Sequence, residues 1–366
     1  MKQPPRYSVL CGAVLIAALP QLSSSARPAG ERALPLGLSA EQAEILSHLS
    51  LVDGTDGAGN PVRTLVVSGL NVQIVNGTGA TSTTNSAGNL IIGYNEAPLV
   101  RTGSHNLFVG EGNGATSYGG IIVGDGNLQS GPFCSLVGGQ GNVAGGFASA
   151  QLAGLANSTT RDFSATVGGT ESTADGVAST VLGGIRNMAS GTYASVTGGR
   201  NNTASGLASS VTGGGGPSVG DGNVATGTYA VVSGGRANVA SGSCSSVTGG
   251  DANLASGQLA ATNGGRSNVA SGDWASVLGG GSTDPLLGNT AFGDLAVVVG
   301  GVENLASGDY SAVLGGTTNE ASGLQAVVSG GAGNQSSGLS STVGGGLNRS
   351  VATPFSWTSG SLFENN

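Results

Sequence analysis

Few side chains in this sequence stand where chemistry would need them. Gly216-Pro217-Ser218-Val219-Gly220 has the G-x-S-x-G spacing of a nucleophile elbow. That device needs a strand before the serine and a helix after it. Neither pattern flanks Ser218, and a chain this rich in Gly and Ser matches the motif by chance. The histidines, His48 and His105, lie far apart in the sequence, whereas a metal site gathers three or four ligands. Surface or capping roles are expected for both. Asp53 to Asn60 offers the acids and glycines of a calcium loop, but no bidentate Glu follows at EF-hand spacing. The same residues make a turn, through Gly flexibility and Asx bonding. Gly-rich runs could cradle phosphate only with a following Lys, and Lys2 is the single lysine. Arg186, Arg200, Arg236 and Arg266 occupy nearly one repeated slot. No matching acids are evident beside them, so they read as a solvated edge. No catalytic residue, cofactor or metal is expected, and the chain reads as non-enzymatic.

One set of side chains does recur with purpose. Tyr193, Tyr229, Trp274 and Tyr310, with Phe163, fall at the same slot of an internal repeat. They are the candidate ligand or interface contacts. By strand alternation they share a side with Ser195 and Thr197.

The elements that would position them come from that repeat. Its consensus is N-x-A-S-G-x-x-A-S-V-x-G-G-x-x, clearest from Asn187 to Gly199. Marked at one Gly, copies run from Gly110 to Gly345, mostly 15 residues apart. Two steps of 21 follow Gly214 and Gly280, and the added residues, with Pro217 and Pro285, read as loops projecting from one side. This period is too short for a helical repeat and suits a coil of two short strands and two turns. Alternation places Ala194 and Val196 inward and Tyr193, Ser195 and Thr197 outward. Stacking in register would give a Val ladder through Val181, Val196, Val211 and Val247. An Asn ladder would run through Asn187, Asn202, Asn238 and Asn253, its amides bonding from coil to coil. The fold class is therefore all-β, a β-solenoid of about sixteen 14–15-residue coils with a small N-terminal helix-plus-strands cap.

Composition agrees. Gly is 70 of 366 residues, aromatics are 4% and charged residues 9%, yet mean hydropathy is +0.13. Small residues packed against backbone are implied, not disorder. Residues 1–26 read as a signal peptide: Lys2 and Arg6, an apolar run from Val9 to Leu19, then Ser24-Ser25-Ala26. Residues 27–38 read as a linker and 39–93 as an N-terminal cap. Within the cap, Ser39 and Gln42 should form a capping box for a helix from Ala40 to about Leu49, and strands are expected at 64–68 and 71–75. The repeat domain is 94–350 and the C-terminal cap 351–366. The arginines that remain after the leader face 20 acids, a balance that argues against nucleic acid. No segment carries the ~18 apolar residues of a transmembrane helix.

The pattern N-x-A-S-G-x-x-(A/S)-S-V-x-G-G at 187–199, 202–214, 238–250 and 304–316 resembles the YadA-like head repeats of trimeric autotransporter adhesins. The resemblance covers roughly residues 105–350, without that family's heptad stalk or membrane-anchor strands. It implies a left-handed β-roll, a homotrimer and a role in adhesion. A secreted or cell-surface adhesin-like protein is thus expected, with a host-cell, glycan or matrix surface as partner. The alternative is a passive spacer of an extracellular matrix or surface layer with no dedicated ligand.

Overall fold

A computed structural model describes residues 37–94, 96, 99–282, 284 and 287–360. The expected signal peptide, most of the linker, Pro285 and the last six residues lie outside them. The chain divides into two compact units, one ending at Val72 and one beginning at Gln73.

The first unit is a helix and a hairpin. Helix α1 spans Ala40–Ser47. Ser39 caps it: its hydroxyl accepts from the Gln42 backbone N–H at 3.2 Å, and the Gln42 side chain accepts from the Ser39 N–H at 2.9 Å. Strands β1 (Leu49–Thr55) and β2 (Pro61–Val67) pair antiparallel. The turn between them is built by Asp56, whose Oδ1 accepts from the N–H groups of Ala58 and Asn60 at 2.9 and 2.8 Å. Asp56 thereby acts as a turn residue. These bonds, led by the Asn60 side chain, hold its carboxyl below the usual value of 3.8. β1 was not expected, because its Asp53-Gly54 pair reads as a breaker. Residues 71–75, expected as a strand, form none.

The second unit is a parallel β-solenoid. One wall is an 18-stranded sheet, from Leu90–Ile92 to Trp357–Thr358. The facing wall has 16 strands, from Gly114–Ala115 to Ser350–Val351. A third side is stitched by single parallel bridges such as Ile185 to Arg200 and Arg236 to Asp251. Successive coils pair in parallel register, Ser195–Val196 with Ser210–Val211 for instance, with one irregularity between Val123 and Asp125 where they pair with 137–140. There are thus about eighteen turns, two more than the repeat marks suggest. Leu90–Ile92, at the boundary of the expected cap, is a solenoid strand paired with Leu107–Val109. Residues 350–358, read mostly as a C-terminal cap, complete a further coil against 335–343.

The core is a stack of small side chains. Ala189, Ala194 and Val196 are buried in one coil, and their equivalents Ala204 and Val211 in the next. Each coil encloses little apolar area, so polar stitching matters more than in a globular core. The Asn ladder supplies much of it. The Asn238 N–H donates to Asn223 Oδ1 at 3.0 Å, and Asn238 Oδ1 accepts from the Asn253 N–H at 3.0 Å. The Asn238 amide donates to the carbonyls of Gly234 and Gly250 at 2.8 and 3.0 Å. Every polar atom of a buried amide is thereby used, as burial requires.

Two glycines per coil are set by contact between coils. A Cβ on Gly199, whose φ is +85°, would lie 2.2 Å from the Gly214 carbonyl oxygen. A Cβ on Gly191 would lie 2.0 Å from that of Gly206. The other member of the Gly pair, Gly198, has open space where its Cβ would stand.

Candidate binding surface

The aromatic slot sits at a corner of the coil. In the coil of Asn187, the Ala194 N–H donates to the Gly191 carbonyl at 3.0 Å and closes a four-residue turn. Its third residue is Tyr193, at φ 59°. That is the position where a type II turn wants positive φ and usually Gly or Asn. Left-handed backbone costs roughly 1–2 kcal/mol for an L-residue. The Tyr193 N–H is nevertheless held, donating to the Val177 carbonyl of the preceding coil at 2.9 Å. Tyr229, Trp274 and Tyr310 repeat the geometry, with φ 57°, 56° and 58°.

These four side chains point into solvent, with 65%, 58%, 52% and 57% of their surface exposed. The sequence reading put them on the strand beside Ser195 and Thr197. The strand begins only at Ser195, so they stand on the turn before it. Between them the same corner exposes Leu207, Leu259 and Leu295. The result is an apolar ridge running from coil to coil.

Toward the N-terminal coils the ridge becomes a ring ladder. Tyr118, Phe133, Phe147 and Phe163 meet edge to face in sequence, with centroids 5.3, 5.7 and 5.6 Å apart. Such T-shaped pairs suit the ring quadrupoles. Only Phe163 of this set was found by sequence. Phe147 and Tyr118 each lie one residue earlier in their coils than Phe163 does, so a count at one fixed slot passes over them.

A different corner carries the arginines, and here the expectation of missing acids is overturned. Arg236 donates to Asp251 and also approaches Asp221 at 3.5 Å. Arg266 lies 3.2 Å from Asp251, and Arg186 pairs with Glu171 at 2.5 Å. Arg200, Asp221, Arg236, Asp251 and Arg266 all stand two residues before a ladder Asn, so sign alternates up the stack. The 21-residue step hides this, because the added loop ends by returning Asp221 to that slot. The Arg236 bond draws the Asp251 carboxyl below its usual 3.8.

Other chemical candidates are not brought together. Ser218 precedes a three-residue 3-10 turn, Val219–Asp221, and its N–H donates to Asp221 Oδ2 at 3.1 Å. His48 lies against the Ser68 carbonyl at 2.8 Å in the first unit. His105 accepts from the Asn76 N–H at 3.2 Å and meets the Thr81 carbonyl, closing the N-terminal end of the coils. Cys134 is buried and Cys244 exposed, seven coils apart, and both are free thiols. Among the described residues no three His, Cys, Asp or Glu side chains converge as metal ligands would. None of the described helices is long and apolar enough to cross a membrane.

The class defined by these observations is a parallel β-solenoid with a periodic exposed ridge. No protein-family model matches the chain, and no curated protein sequence matches it either.

Proposed function

We propose that this chain is an exported, non-enzymatic, adhesin-like repeat protein that presents a repetitive binding surface. The observation that carries the reading is the solvent-facing ridge with Tyr193, Tyr229, Trp274 and Tyr310 on strained turns. Large apolar side chains held outward two or three coils apart are where contact area is gained for little ordering, since the turn already fixes their backbone and each ring has few rotatable bonds. Successive coils are ~4.8 Å apart. Weak contacts along such a row add as avidity, with no single strong site needed.

The decisive experiment replaces those four residues by Ser and compares binding to cells, glycan arrays and matrix proteins. Loss of binding with unchanged circular dichroism is expected. If the unmodified protein binds nothing across the panel, the passive spacer reading replaces this one.

The same proposal includes a homotrimer. On the outer side of the longer sheet Leu278, Val299 and Leu314 are exposed, and apolar sheet faces are usually covered. Sedimentation at micromolar concentration tests it, and a monomer there would remove the trimer.

A further inference from the structure

We propose that the ridge between Gln258 and Tyr310 recognises an extended, arginine-rich segment of a partner protein. The proposal rests on the ridge being a binding surface and adds the chemistry of its occupant.

Three carboxylates stand beside the ridge in consecutive coils. Asp273, Asp294 and Asp309 each directly precede a ridge residue: Trp274, Leu295 and Tyr310. One oxygen of each is tied down by the preceding coil. The Gln258 N–H donates to Asp273 Oδ1 at 2.9 Å, the Asp273 N–H to Asp294 Oδ1 at 3.0 Å, and the Asp294 N–H to Asp309 Oδ1 at 3.1 Å. The carboxylates are thus fixed in a column with ~4.8 Å between neighbours. Like charges stacked in register repel.

Asp162, before Phe163 at the same slot, is bonded by the Phe147 N–H in the same way, whereas several acids at other positions meet arginine from an adjacent coil. Glu171 has Arg186, Asp175 has Arg161, and Asp251 has both Arg236 and Arg266. Among the described residues no side-chain cation pairs with Asp273, Asp294 or Asp309. Between residues 241 and 325 the single basic residue is Arg266, which belongs to the other corner with Asp251. The column is a set of oriented anions beside exposed aromatic faces, and among the described residues no side chain supplies a counter-charge.

Guanidinium satisfies both halves of that arrangement. Its planar face stacks on Trp or Tyr, while its N–H fork pairs with carboxylate. Ammonium is a point charge with stronger hydration and gains less from the rings. A neutral polymer could use the rings but would leave the carboxylates unanswered. An anionic polymer would be repelled.

Spacing narrows the conformation. Asp273 and Asp309, like Trp274 and Tyr310, are two coils apart, ~10 Å at ~4.8 Å per coil. A polyproline II strand returns a side chain to one face every third residue, after ~9 Å. Arginine at every third position of such a strand therefore meets every second coil. A fully extended strand repeats its faces at ~7 Å and falls out of step.

The test uses the full chain and a fluorescent peptide of four Arg-Pro-Pro units, read by anisotropy. The Lys-Pro-Pro peptide serves as a cation control. The variant D273N/D294N/D309N keeps an acceptor for each backbone N–H but removes the charge. The variant E111Q/E303Q/E320Q removes equal charge from other positions of the same solenoid unit, away from the ridge turn. Expected are saturable, salt-sensitive binding of the Arg peptide, binding at least about fivefold weaker for the Lys peptide, and at least about tenfold weaker binding by the triple Asn variant at unchanged melting temperature. W274S/Y310S should also weaken binding, and the Gln variant should not.

No binding of the Arg peptide overturns the proposal. So does equal loss in the Asn and Gln variants, or full binding by W274S/Y310S, since either leaves generic charge attraction. The parent reading fails separately. If the Asn variant still binds cells, glycans or matrix proteins through the four aromatics, the ridge stands and the arginine partner is wrong.

Discussion

Arg236 reaches across to Asp251 of the next coil with two bonds, Nε to Oδ1 at 3.0 Å and Nη2 to Oδ2 at 2.8 Å. This fork fixes which coil follows which at that corner, where backbone stitching is reduced to single bridges. A slip by one coil would set Arg against Arg. The pair also makes stability depend on acid. Asp251 has a folded-state pKa below its ordinary 3.8, first through the Arg236 bond. A group depressed in this way stabilises the fold fully above 3.8 and loses that contribution as pH falls through the lower folded value. Wild type should therefore melt above Arg236→Gln at neutral pH, and the gap should close as pH drops below 3.8. Melting curves of both proteins from pH 7 to pH 2 check this. A gap that stays constant would show that Asp251 is not the group concerned.

Gly198 and Gly199 are neighbours with opposite requirements. At Gly199 the left-handed φ and the Gly214 carbonyl both oppose a side chain, whereas Gly198 faces open space. Gly199→Ala should cost about 2–5 kcal/mol, combining backbone strain and overpacking. Gly198→Ala should be neutral or stabilise by up to about 1 kcal/mol, by restricting the unfolded chain. Denaturant titration of both variants decides it. Similar losses would mean that the pair is retained for flexibility and not for the close approach of coils.

Val247 and Thr248 test the two sides of a strand. Val247 is fully buried and Thr248 exposed. Val247→Asp places a charge in an interior with no cation, and should cost more than about 3 kcal/mol. Thr248→Asp should stay within about 0.5 kcal/mol. Equal losses in thermal melts would mean that the Thr face is covered in the assembled protein.

Much of this architecture was legible because each coil repeats the same steric demand. The Asn187, Val196 and Gly199 slots are each dictated by contact with an identical neighbour, so period and inward face could be read together. Tyr193 was misplaced because alternation alone cannot mark where a strand begins. Its turn position ordinarily announces itself with Gly or Asn, and here it is filled by an aromatic. The partners of Arg236 were missed because they come from adjacent coils, and because Asp221 arrives through an insertion. The terminal coils escaped the count since Leu90–Ile92 and Trp357 put large apolar residues where the consensus has small ones, and Thr358 stands in the Val slot. β1 was lost because Asp53-Gly54 lies inside a strand whose exposed pairing with β2 tolerates it.

The two described cysteines can report on the ridge and the core at once. Cys244 occupies the ridge slot, at φ 55°, and is exposed. Cys134 is buried, with its sulfur 3.2 Å from the Gly131 carbonyl, 3.1 Å from that of Gly146 and 3.3 Å from Ser149 Oγ. Burial pushes its thiol above the ordinary 9.0, which lowers the thiolate fraction that reacts. Labelling with a disulfide reagent at pH 8, read by peptide mapping, should modify Cys244 within the mixing time of an unfolded control. Cys134 should react only as its coil opens, at a rate that rises with denaturant. Fast native labelling of Cys134 would contradict its place in the core. Slow labelling of Cys244 that speeds up on dilution would show that copies of the chain cover the ridge themselves. The aromatic row would then be an assembly interface and not a surface offered to a ligand.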